Sequence, residues 1–278
     1  MIIDFHTHVM PPYIGENRSK YAGADACFAT IYASEKAKLA TAEELITNMD
    51  EDGVDISVIM NIGWTTHELC AETNDYIIEA VSRHRGRLAG FAAIQPKSPK
   101  AIKEIERLAL SGIKGIGELR PDLQNFDLTD DRIMAPLVEA MTHYHLSLLV
   151  HCSEPIGHQY CGKGSITPDI IYSFIARYPE LRIICAHWGG GLPFYSLMPE
   201  VKQTLGNVYF DSAASSFLYN PQIYRIVSEI AGSDHILFGS DYPLLKPKRL
   251  MEEIKSLELS NKTKEQILGG NARHLLNL

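Results

Sequence analysis

Two histidines, His6 and His8, stand two residues apart in the opening Asp4-Phe5-His6-Thr7-His8. On an extended strand alternate side chains share a face, so two imidazoles at this spacing can grip one metal ion. Three more residues of ligand type occupy the same kind of place. His151 ends Leu148-Leu149-Val150-His151, His187 ends Ile183-Ile184-Cys185-Ala186-His187, and Asp241 follows Phe238-Gly239-Ser240. Taken singly, a strand-end histidine is more often a hydrogen-bonded structural residue and an aspartate a helix cap. Five such residues placed alike, each just after an apolar run, form the pattern of a metal centre. The nitrogen-rich set suits zinc first, with manganese or iron as alternatives. A divalent ion held this way makes water a nucleophile near neutral pH. A second close pair, His143 and His145, falls at a helix end and is set aside.

The elements that must position these residues are regular. Short apolar runs of strand character recur at Ile2–Val9, Ile56–Ile62, Leu88–Ile94, Ile113–Leu119, Leu146–His151, Arg182–His187, Val208–Asp211 and Ile236–Gly239. Most are continuous and rich in Ile, Val and Leu, as strands buried on both faces should be. Helical segments lie between them. Thr41 and Glu44 make a capping box for a helix that Gly53 ends. Others are expected near Glu72–His84, Pro99–Ser111, Asp131–His145, Pro168–Tyr178, Pro193–Thr204, Pro221–Ala231 and Pro247–Leu257, with a last helix over Lys264–Leu276. Eight strands alternating with eight helices in 278 residues predict a single (β/α)₈ TIM barrel spanning residues 1–278. The first strand is followed by no G-x-G-x-x-G, which removes the support for a dinucleotide-binding open sheet. In a barrel the strand ends ring one axis, and His6, His8, His151, His187 and Asp241 then meet at one mouth. Two long connections, about residues 10–40 and 153–167, fall on the same face and read as lids.

Glu118, near the end of the fourth strand, lies on the same strand face as Arg120 and reads by itself as its ion-pair partner. Arg120, His158 and Lys163 are rim cations available to an anionic substrate, and Trp188, beside His187, either floors the pocket or belongs to the core. The formal charge of −8 argues against nucleic acid as a partner. No apolar run is long enough to span a bilayer, and the N-terminus does not read as a signal peptide. The five cysteines include no C-x-x-C pair and are expected as reduced thiols of a cytoplasmic protein, mostly buried.

The residues Asp4-Phe5-His6-Thr7-His8, the strand-end His151 and His187, and Gly239-Ser240-Asp241-Tyr242-Pro243 together resemble the amidohydrolase superfamily. The stretch Ala186-His187-Trp188-Gly189-Gly190-Gly191-Leu192-Pro193-Phe194 is similar to its decarboxylase-and-lactonase branch, which includes enzymes like aminocarboxymuconate-semialdehyde decarboxylase. The resemblance covers essentially the whole chain. It implies that His6 and His8 hold the metal and that Asp241 is both its carboxylate ligand and the water's proton acceptor. His151 would ligate or polarise a substrate oxygen; His187 would ligate a second metal or hydrogen-bond water and substrate. Binuclear members of that superfamily bridge two metals with a carboxylated lysine or a glutamate on this strand, so the resemblance gives Glu118 a bridging reading beside its pair with Arg120 and implies one or two ions per chain. The leading expectation is hydrolysis of an amide, lactone or ester in a small carboxylate-bearing substrate. Non-oxidative decarboxylation in the same site is the alternative, and a metal-binding barrel without turnover the third reading. The resemblance also implies a homodimer or a larger assembly.

Overall fold

A computed structural model describes residues 1–278. Eight strands follow one another in space in the order of the sequence, all parallel: β1 (Ile3–His8), β2 (Ile56–Met60), β3 (Leu88–Ala92), β4 (Gly115–Leu119), β5 (Ser147–Val150), β6 (Ile183–Cys185), β7 (Val208–Asp211) and β8 (Ile236–Leu237). The sheet curls back on itself through the segment after β8. Phe5 N–H donates to Phe238 O, Asp241 N–H to His6 O and His8 N–H to Tyr242 O, at 2.7, 2.9 and 2.7 Å. These bonds join the first strand to the last, and the result is the (β/α)₈ barrel that the strand rhythm predicts.

Several expected strands are shorter at their C-terminal ends, and the reason is functional geometry. β6 stops at Cys185 and β8 at Leu237, because the chain leaves extended conformation to place His187 and Asp241. Helix boundaries also shift. The helix expected from Glu72 begins at His67, capped by the Thr66 hydroxyl. Pro193–Thr204 is two pieces, a 3-10 turn Leu192–Leu197 and a helix Pro199–Thr204 broken at Met198. The capping box at Thr41 and Glu44 and the left-handed stop at Gly53 are present as read.

The barrel interior is filled by Ile3, Phe5, Val58, Met60, Phe91, Leu149, Ile184 and Leu237, and the terminal helix Asn271–Leu276 adds Ala272, Leu275 and Leu276 to this cluster. A larger apolar layer lies between strands and outer helices. The segment after β1 is not structureless. Met10–Ala40 holds three short helices, Pro12–Glu16, Arg18–Ala24 and Ala26–Tyr32, around a small core of their own. There the Phe28 ring stacks on Trp64 at 5.5 Å. Asp25 caps the third helix through Phe28 N–H and accepts the backbone N–H and hydroxyl of Thr65. The segment after β5 has no helix or strand from Ser153 to Thr167. No helix is long and apolar enough to cross a membrane.

Candidate metal centre

The register of β1 slips between Asp4 and Thr7, yet His6 and His8 still face the same side, with their Nε2 atoms 3.1 Å apart. Each outer nitrogen is anchored. His6 Nδ1 lies 2.8 Å from Asp211 Oδ2, and His8 Nδ1 lies 3.2 Å from Asn61 O. A carboxylate and a carbonyl can only accept, so these bonds put a proton on each Nδ1 and turn each Nε2 inward. Asp241 closes this set, its Oδ1 3.3 Å from His8 Nε2 and 3.9 Å from His6 Nε2.

A second set faces the first. Glu118 Oε1 is 2.8 Å from His151 Nδ1 and 3.4 Å from His187 Nε2, and the two histidines approach to 3.1 Å. Glu118 Oε2 points the other way, 3.8 Å from the Nε2 atoms of both His6 and His8. The local backbone permits this. Gly117 has φ +141°, and a Cβ there would lie 2.4 Å from Leu149 O, so only glycine fits beneath the glutamate.

His187 and Asp241 both occupy left-handed conformations that L residues with side chains seldom adopt, with φ of 54° and 65°. Each is held by partners. His187 N–H donates to Asp211 Oδ1 and its Nδ1 to Ala213 O. Before Asp241, Ser240 donates both its N–H and its hydroxyl to the buried Asp4, at 2.8 and 2.6 Å. Burial pushes Asp4 up to about 7 in spite of the Ser240 bonds.

Nearly every inward atom in the cluster is an acceptor, and the titration behaviour reflects this. Burial opposes charge on His6, yet Asp211, Glu118 and Asp241 outweigh it and lift the imidazole to about 10. Burial likewise opposes His187, but Glu118 and Asp241 raise it to about 9. Asp241 falls to about 2, burial being outweighed by His8, His6 and His187. Glu118 sits well below the carboxylate range for the same kind of reason, His151 leading. His151 differs: burial and the Arg120 guanidinium push it down to about 4. The pocket thus demands positive charge, and protons on His6 and His187 supply it. In each of two groups of three, His6–His8–Asp241 and Glu118–His151–His187, the three ligand atoms lie within 4.8 Å of one another. Imidazoles whose outer nitrogens are anchored, as those of His6, His8 and His187 are, together with the Asp241 and Glu118 carboxylates make a donor set that fits a divalent cation.

Of the remaining sequence candidates, Arg120 stands beside His151, and the others lie outside the cluster. Glu118 does not pair with Arg120. Arg120 is buried and gives Nε and Nη2 to Asp122, at 3.2 and 3.0 Å. Gly164 packs over it, where an added Cβ would lie 3.1 Å from the His151 ring and 3.5 Å from Arg120 Nη2. His158 is exposed against Tyr160, and Lys163 Nζ bonds Ile156 O and His158 O, so both find their partners within their own loop. Trp188 is fully buried in the main core, its Nε1–H on Ser215 Oγ and its ring against Tyr224. It does not floor the pocket, because its left-handed backbone turns it away from the neighbouring His187. Four cysteines are buried and only Cys161 is exposed. Sequence reasoning passed over Asp211, Asp4, Asn61 and Ser153, whose hydroxyl lies 3.3 Å from His151 Nε2. Asp211 carried a signal, since it ends β7 as the other candidates end theirs.

The whole chain from residue 3 to residue 278 matches the amidohydrolase family model. The protein belongs to the amidohydrolase family. Within it, the chain falls in the branch of decarboxylases and lactonases that Ala186–Phe194 resembles. The 2-amino-3-carboxymuconate-6-semialdehyde decarboxylase of Dictyostelium discoideum is 25% identical, over 99% of this chain and 91% of that protein. The L-fucono-1,5-lactonase of Burkholderia ambifaria is 22% identical, over 74% of this chain and 76% of that one. Among solved structures, the 5-carboxyvanillate decarboxylase of Novosphingobium aromaticivorans, complexed with manganese and 4-hydroxy-3-methoxy-5-nitrobenzoic acid, superposes with a TM-score of 0.82 at 19% identity. That alignment covers 100% of this chain and 96% of the other, and it speaks for the barrel fold.

Proposed function

We propose that this amidohydrolase is a metal-dependent, non-oxidative decarboxylase of a small carboxylate substrate. The observation that carries the reading is the full-length likeness to a decarboxylase, set on a cluster whose chemistry asks for a cation. This reverses the order of the two sequence expectations. Hydrolysis of an amide, lactone or ester becomes the second reading, supported by the shorter match to a lactonase. The cation would be held by His6, His8 and Asp241, with zinc favoured by the imidazoles and manganese by the fold neighbour. Such an ion supplies Lewis-acid polarisation of a substrate oxygen.

The chain's own groups do the rest. With its Nδ1 fixed on Ala213 O, His187 presents Nε2 to the pocket, where Glu118 favours a proton on it; in the metal-free protein burial is outweighed and the imidazole rises to about 9. Glu118 keeps that proton in place. When the carbon–carboxylate bond breaks, its electron pair stays on carbon, CO₂ leaves, and the carbon takes the proton from His187 Nε2. Solvent then returns a proton to the imidazole. Asp241, with 15% of its side chain exposed against 9% or less for the other five, is the member of the set best placed to reach the substrate.

The test is a product assay on a panel of aromatic and enol carboxylates with manganese- and zinc-loaded protein. Release of CO₂, abolished by chelation, is expected. A cleaved or ring-opened acid without CO₂ would replace this reading with hydrolysis. Absence of any turnover across the panel, with Asp241→Asn binding ligand as well as wild type, would leave a metal-binding barrel.

A further inference from the structure

Asp211 ends β7 and is fully buried, and neither of its carboxylate oxygens reaches the open pocket. Its two oxygens do different things. Oδ2 accepts from His6 Nδ1 at 2.8 Å. Oδ1 accepts two backbone N–H groups, those of His187 and Ala213, both at 3.0 Å. One side chain therefore touches the outer nitrogen of a ligand on β1 and the strained backbone under a proton donor beyond β6. Ala213, in turn, offers the carbonyl that orients the His187 ring, at 3.0 Å from its Nδ1.

We propose that Asp211 is a positioning residue that couples the cation site to the proton donor. Toward His6 it fixes the tautomer: a carboxylate demands a proton on Nδ1, which leaves the Nε2 lone pair for a cation. Toward His187 it holds a φ of 54° in place, and it fixes the loop that carries Ala213 O. The two effects share one rigid group, so a change at Asp211 reaches both halves of the site at once. The inference rests on the reading of His6 and His8 as cation ligands and not on which reaction follows.

Asp211→Asn separates the roles. The amide keeps a carbonyl oxygen for the two backbone N–H groups, and its NH₂ then faces His6 Nδ1. A donor there forces the ring proton to Nε2, the atom a cation needs. The affinity of the purified full chain for Zn²⁺ and Mn²⁺, measured by chelator competition, is expected to fall about 10- to 100-fold, beside a lower melting temperature of the metal-free protein, which loses the buried Asp211–His6 ion pair. A purely structural role predicts the lower melting temperature with metal affinity intact in the folded variant, and that result overturns the proposal. If the variant does not fold, the wild type still decides. A long-range ¹H–¹⁵N spectrum of the zinc-loaded protein should show His6 protonated at Nδ1, and protonation at Nε2 refutes the assignment. Weak metal binding by wild type itself would instead count against the cation reading, and metal binding without CO₂ release only against the decarboxylase.

Discussion

Glu118 Oε1 stands 2.8 Å from His151 Nδ1, and the same carboxylate turns its other oxygen toward the histidine pair of β1. Glu118 is thus the link between two sets of ligand-type residues. In the decarboxylase reading it holds charge on His187 and carries no second ion. Metal analysis of the purified protein is then expected to give one ion per chain. Glu118→Gln should keep that one ion and lose activity by about a hundredfold, the scale of removing proton-transfer support. Two ions in wild type, falling to one in the variant, would establish a bridge and favour a binuclear hydrolase.

Metal binding should release protons. His6 at about 10 is charged at neutral pH and must lose its Nε2 proton to become a ligand. Each pH unit below that value costs the ion about 1.4 kcal/mol of apparent affinity. Affinity should therefore rise tenfold per unit from pH 7 toward 9. Calorimetry in buffers of different ionisation enthalpy should find at least one proton released per ion at pH 8. A value near zero contradicts the charged state derived for the metal-free pocket.

Asp241→Asn keeps the shape of the carboxylate and removes its charge. It is expected to lower kcat by about 10²- to 10⁴-fold and to weaken metal retention after dialysis. Normal turnover in this variant would remove Asp241 from the chemistry.

Away from the site, Glu104 gives a pH-dependent stability test. Burial pushes its pKa up, but bonds from Arg107 and from Asn74 outweigh this and leave it below the ordinary value. A depressed carboxylate contributes stability above its unfolded pKa and loses it as pH falls through the folded one. Glu104→Gln should cost about 1–3 kcal/mol at pH 7, and the gap to wild type should narrow below about pH 4. Thermal melts across pH 3–7 test this; a gap that widens in acid reverses the sign.

Phe28 stacks on Trp64 and ties the helical segment after β1 to the barrel. Phe28→Ala removes that contact, at a cost of about 3–5 kcal/mol for a buried phenylalanine. Proteolytic cutting should then concentrate in residues 10–40. A uniform fall in melting temperature without local cutting would show the segment and the barrel melting together.

The eight strands were legible because a doubly buried strand must be apolar along its length, and that constraint is local. His6, His8, His151, His187 and Asp241 were legible for a related reason: a barrel turns a repeated position along the chain into a ring in space. Glu118 was visible as a candidate, but its choice of His151 over Arg120 was not. That choice depends on the backbone at Gly117 and on Asp122 occupying the guanidinium. Trp188 looked like a pocket residue from its neighbour His187. A single left-handed turn sends the one into the mouth and the other into the core.

The sequence alone therefore determined the barrel, the ligand types and the mouth at which they gather, since each follows from periodicity and residue chemistry along the chain. Tertiary structure alone decided which nitrogen of each histidine faces inward, and that one buried aspartate serves both His6 and His187. Those facts depend on hydrogen-bond partners brought together from strands far apart in sequence, and no local pattern encodes them.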